Sequence, residues 1–125
     1  MKKYTLALDL IDEADLIHQY EDYHINSWPE INKSIIDAGI HLMEIYRSGN
    51  RLFMIMETSD EFSFEGKRLL DAQNPKVLAW ESLMWKFQQP LPWAKEGEKW
   101  VLMKKIFELD NSNTETDDAK NQSDL

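Results

Sequence analysis

Apolar residues alternate with others at the start of the chain. In "KYTLALDL" the side chains of Tyr4, Leu6, Leu8 and Leu10 fall on one face, the period of a β-strand. The period then changes. In "DEADLIHQYEDYH" Leu16, Tyr20 and His24 recur at i, i+4 and i+8, which predicts a helix with these three on one stripe. Asp12 is placed to cap it, and acids fill its first turn. Pro29 suits a first helical turn and Gly39 a helix end, so a second helix is expected over 29–38. Ser27 and Glu30 before it have the spacing of a capping box.

"IHLMEIYR" and "RLFMIMET" flank "SGN", two apolar runs around turn residues, which predicts a hairpin. The second run is apolar on both faces, with Leu52, Met54 and Met56 on one and Phe53 and Ile55 on the other. Such a strand needs cover on both sides. Helices supply one cover, and a second copy of the chain is expected to supply the other. "EFSFEGKRLLDA" predicts a helix weakened by Gly66. "NPKVLAWESLMWKF" predicts a stronger one, with Asn74 as cap and Pro75 at its first position. "QQPLPWAKEGE" reads as a loop, and "KWVLMKKIFEL" as a last strand with Val101, Met103, Phe107 and Leu109 on one face. Strand, helices, strand, strand, helices, strand is the βαββαβ order of a ferredoxin-like α+β sandwich.

Composition limits what this fold serves. The stretch from Asp110 to Leu125 has no aromatic residue and five acids against one lysine, so it is expected to be a disordered tail behind one domain at 1–109. The net charge is −9, and residues 1–109 keep about −5 of it. An acidic body without a basic face makes neither nucleic acid nor an anionic membrane surface an expected partner. There is no cysteine, hence no disulfide and no thiolate chemistry. No signal peptide or membrane-length apolar run is visible, so a cytoplasmic protein is expected. The four glycines lie apart at 39, 49, 66 and 97, which leaves no phosphate loop. No paired histidines or cysteines stand ready for zinc or iron. No cofactor and no metal are expected, and any chemistry must rest on acid–base groups and hydrogen bonds.

One stretch gathers such groups. "YEDYHINSWPE" holds Tyr20 and His24 on one helical stripe, followed by Trp28 fixed against Pro29. Histidine alone has an ordinary pKa near neutral pH, about 6.5. Flat indole faces pack well on sugar C–H groups, and the helix after Asn74 offers Trp80. Each residue also has a plain structural reading: His24 as a charge at a helix end, Tyr20, Trp28 and Trp80 as packing groups. His41 reads equally as a core histidine or a pocket residue.

Taken together, "YEDYHINSWPE", "AGIHLMEIY", "RLFMIMET", an aromatic helix and a closing "KIFEL" resemble the L-rhamnose mutarotase family over residues 3–109. The resemblance implies a homodimeric α/β barrel of ferredoxin-like protomers. It implies an isomerase that interconverts the α and β anomers of L-rhamnose, a monosaccharide substrate, without cofactor or metal. His24 matches the proposed proton donor, Tyr20 a sugar-binding tyrosine and Trp80 a pocket tryptophan. Two positions depart from the family pattern: Met43 stands where a second pocket tyrosine is found, and Ala79 replaces the first of a tryptophan pair. The expected substrate is therefore a 6-deoxy-L-sugar, L-rhamnose first and L-fucose next, with Met43, Trp28 and His41 beside Tyr20 and Trp80 in the binding set. Trp93, in the proline-rich loop, is a candidate for the missing ring. The same fold also carries cofactor-free monooxygenases and small binding modules, which fold alone does not separate.

Overall fold

The computed structural model describes residues 1–111. The expected tail falls outside the described residues except for Asp110 and Asn111. The elements run β1 (Lys2–Leu10), α1 (Ala14–Ile25), α2 (Pro29–Asp37), β2 (Ile40–Ser48), β3 (Arg51–Thr58), α3 (Phe64–Ala72), α4 (Pro75–Trp85), β4 (Gln88–Gln89) and β5 (Val101–Leu102). The sheet order is β2-β3-β1-β4, and β5 also pairs with β1. All pairings are antiparallel, so the expected ferredoxin-like α+β order is the observed one. Among the described residues no helix is long and apolar enough to cross a membrane.

The register assigns the two faces. Leu6 lies opposite Met54 and Leu8 opposite Leu52, while Met43 and Ile45 lie opposite Met56 and Met54. Directly opposed residues point the same way, so these form one apolar face. The helices cover it. Leu10 and Leu52 pack with Tyr20, Ile31, Val77, Trp80, Met84 and Phe87 in one core, and Leu6, Met54 and Met56 pack with Ile40 and Phe62 in a second. Burying one such side chain contributes roughly 1.5–3 kcal/mol. The opposite face carries Ala7, Phe53, Ile55 and Val101 with no helix over it, bordered by Thr5, Glu44 and Glu57, and Tyr46 and Leu42 there are exposed.

Local chemistry explains the turns. The hairpin closes over Gly49 and Asn50, with Gly49 at φ +60° and Ser48 opposite Arg51. A positive φ at the first central residue is what a type II′ turn asks of glycine. Gly39, at φ +97°, ends α2 in the same way. Asn74 caps α4 by accepting from the amides of Lys76 and Val77. Ser63 caps α3 by accepting from the amide of Gly66, so α3 forms despite that glycine.

Four expectations change. Glu13, not Asp12, precedes α1, and its side chain makes no capping bond. Trp28 is the residue before α2, and the Ser27 hydroxyl bonds Asn32 instead of completing a capping box. The stretch read as a loop after α4 begins with β4. The last strand is only two residues long, with one further bond from the Met103 amide to Thr5. Continuing its register would set Lys105 opposite Lys3. Like charges directly opposed are destabilising, and Ile106, Phe107 and Leu109 are left 78–88% exposed.

Candidate active site

The helix-facing side of the sheet is not completely filled. A cavity of about 680 Å³ opens between β2, β3 and the helices, within the usual range for small-molecule sites. Tyr20 and His24 reach it from α1, Trp80 from α4, and His41 and Met43 from β2. The stripe read from the sequence thus brings the acid–base candidate and the phenol to one wall.

Their contacts define what each can do. The His24 ring lies 4.4 Å from that of Tyr20 and 5.6 Å, edge-on, from Trp80. His24 Nδ1 is 2.9 Å from the Tyr20 carbonyl oxygen. A carbonyl can only accept, so Nδ1 carries a proton and, in the neutral ring, Nε2 is left as the base. Burial holds the His24 pKa below its ordinary 6.5, opposed by that backbone hydrogen bond. The imidazole is therefore neutral at pH 7, in a fixed tautomer. Burial pushes the Tyr20 phenol from 10.0 up to about 12. Tyr20 is thus an undissociated donor across the physiological range.

Trp28 takes a different place. It does not line the cavity but stands behind Trp80, edge-on at 5.1 Å, and Tyr23 meets the same indole at 6.4 Å. These rings hold Trp80 against the cavity. His41 sits at a β-bulge between Ile40 and Leu42 and is exposed at the rim. Met43 is half-buried opposite Met56, and both line the floor. Trp93 is 61% exposed under the Arg51 guanidinium, away from the cavity.

The ring that adds a wall is Trp100, half-buried against both cores. Leu102 faces Leu6 in the β1–β5 register, so Trp100, two residues earlier, stands on the helix-facing side. The alternation that puts Val101 and Met103 on one face of the last strand puts Trp100 and Leu102 on the other. Gln88 is a second lining residue the sequence reading missed, because a two-residue strand is too short to show a period. Lys67 and Asp71, ion-paired at 2.6 Å, and Glu81, paired with Lys99 at 3.1 Å, put charge at the margin.

Comparison with known proteins follows the same lines. A relative from Xanthomonas campestris pv. campestris, an L-fucose mutarotase, is 45% identical over 111 residues, 87% of this chain and 89% of that protein. A UPF0734 protein of Dictyostelium discoideum is 37% identical over 117 residues, 87% of this chain and 90% of that one. Among solved structures, an L-rhamnose mutarotase from Formosa agariphila superposes with a TM-score of 0.65 at 18% identity, covering 88% of this chain and all of that one. The tetracenomycin F2 cyclase of Streptomyces glaucescens superposes with a TM-score of 0.53 at 12% identity and 88% coverage, a likeness of fold. The class defined is a carbohydrate isomerase on a ferredoxin-like α+β scaffold. More narrowly, the chain belongs to the L-rhamnose mutarotase family, whose model matches residues 3–109.

Proposed function

We propose that the protein interconverts the α and β anomers of a 6-deoxy-L-hexose, with L-fucose ahead of L-rhamnose, and that His24 moves the proton. The observation that carries the mechanism is the His24 imidazole on the wall of the aromatic cavity, its Nδ1 held by the Tyr20 carbonyl, where burial lowers its pKa. The L-fucose mutarotase at 45% identity supports the order of sugars. So does Met43, which departs from the rhamnose pattern on the cavity floor, whereas Ala79 is exposed on α4 and does not line the cavity.

The reaction needs one proton taken and one given. His24 Nε2 removes the proton of the anomeric hydroxyl. As the carbonyl forms at C1, the bond from C1 to the ring oxygen breaks. The ring oxygen, hydrogen-bonded by the undissociated Tyr20 phenol, takes a proton back from the imidazolium. Both oxygens are attached to C1, so one imidazole can serve both. Rotation about the C1–C2 bond and the reverse sequence give the other anomer. Positioned acid–base catalysis supplies typically 10²–10⁴-fold, and water already opens the ring slowly. Trp80 and Trp100 offer flat faces to the sugar's C–H groups.

The open face of the sheet supports a homodimer in which each copy covers the Phe53, Ile55 and Tyr46 surface of the other. The exposed Ile106, Phe107 and Leu109 point to the same need for cover. Proton exchange NMR on equilibrated L-fucose and L-rhamnose tests the activity directly. Anomer cross-peaks should grow with added protein, and His24→Ala should lose at least 100-fold of that acceleration while remaining folded. A His24→Ala rate equal to that of the unaltered protein would remove His24 from the reaction.

A further inference from the structure

The proton transfers above make no use of one polar side chain in the cavity. Gln88 lies opposite Leu10 on β1, and that register turns it to the helix-facing side of the sheet. It is 7% exposed and lines the cavity. Its Nε2 donates to the Tyr20 hydroxyl oxygen at 3.4 Å, a long bond. Its Oε1 is buried without any hydrogen-bond partner. Exchanging the amide's two ends would not alter the count, since one polar atom meets Tyr20 and the other meets nothing. A buried polar atom without a partner carries its full desolvation penalty and calls for an explanation. A leucine or methionine, such as Leu10 opposite it, would fill the space without that penalty.

We propose that Gln88 is a sugar-specificity residue, whose amide oxygen accepts a hydroxyl of the bound monosaccharide while its amide nitrogen holds Tyr20. This rests on the sugar reading of the same cavity. Because the amide donates to the Tyr20 oxygen, the Tyr20 hydroxyl proton is free for the ligand. The pair then offers a donor to the ring oxygen and, beside it, an acceptor for a hydroxyl on a neighbouring part of the ring. L-Fucose and L-rhamnose differ in configuration at C2 and C4. The sugar that fails to reach Gln88 leaves the amide oxygen unpaired, and sites built on buried hydrogen bonds discriminate most strongly in that way.

The test compares the full-length protein with Gln88→Met, which keeps the volume and removes the amide, and with Gln88→Glu, which keeps an acceptor. Anomer exchange of both sugars is followed by NMR. Gln88→Met should raise KM for the preferred sugar at least tenfold with kcat changed less than threefold. It should also bring the ratio of kcat/KM between the two sugars to within about threefold of one. Gln88→Glu should keep most of the preference. Equal losses on both sugars, with the ratio unmoved, would mean that Gln88 only supports Tyr20 and would overturn the proposal. A second measurement needs no variant: the Gln88 side-chain amide resonances should shift as the unaltered protein is titrated with L-fucose or L-rhamnose. If the protein exchanges neither sugar, the mutarotase reading fails and this titration alone decides the role of Gln88. Resonances that move with one sugar and not the other sustain it, and resonances moved alike by both or by neither overturn it.

Discussion

His24 and Tyr20 are both held neutral by burial, and the two shifts act at opposite ends of the pH scale. For His24 the folded pKa lies below 6.5, so between those values the unfolded chain binds more protons. Stability then rises with pH across that window. The reactive base is the neutral form, so the anomer-exchange rate should rise with pH to a plateau, its midpoint below 6.5. A rate profile that falls with pH between 5 and 7 would contradict a neutral base. For Tyr20 the folded value of about 12 lies above the ordinary 10.0. Its contribution is complete below pH 10 and is lost as pH rises from 10 toward 12. Tyr20→Phe removes that ionisation. In urea melts the unaltered protein should lose stability across pH 10–11.5 more steeply than Tyr20→Phe does. The Tyr20–His24 pairing was legible in the sequence because helical spacing alone decides it. Gln88 was not, since its direction follows from pairing with Leu10, a contact between residues far apart in the chain.

At the scale of the element, local signals and pairing contributed differently. The Gly49-Asn50 hairpin and the Asn74-Pro75 start of α4 could be read directly, because turn and cap geometry depend on a few adjacent residues. Asn74 Oδ1 accepts from two backbone amides that α4 cannot otherwise satisfy, at 3.1 and 3.4 Å. Asn74→Ala should therefore cost about 1 kcal/mol, within the range of roughly 0.5–2 kcal/mol for lost caps, measured by chemical denaturation. Because α4 carries Trp80, the same variant should weaken sugar binding modestly while leaving the pH midpoint of exchange in place. The final strand shows the limit of periodicity. "KWVLMKKIFEL" alternates as a strand does, but alternation records which face is apolar and says nothing of a free edge with compatible charges. With Lys105 due to meet Lys3, the pairing stops after two residues.

At the scale of the molecule, the two-faced apolar character of β3 is the feature a single chain leaves unresolved. Leu52, Met54 and Met56 are buried under the helices, whereas Phe53 and Ile55 are only half-buried and Tyr46 beside them is 53% exposed. Scattered apolar residues on a surface need no explanation, but the adjacent Ala7, Phe53, Tyr46 and Val101 form a patch, bordered by Thr5, Glu44 and Glu57, that does. A second copy is a sufficient cover, because one patch that meets itself across a two-fold axis closes the assembly. Phe53→Glu places a charge at the centre of that patch while leaving the helix-covered core intact. Sedimentation should give a dimer for the unaltered protein and a monomer for Phe53→Glu. Ile25→Glu, at an equally apolar and 77% exposed position on α1, serves as control and should stay dimeric. The dimer's melting temperature should also rise with protein concentration, as for any state stabilised by association, and that of the Phe53→Glu monomer should not. A monomeric unaltered protein with a concentration-independent melting temperature would show that the open face is left to solvent.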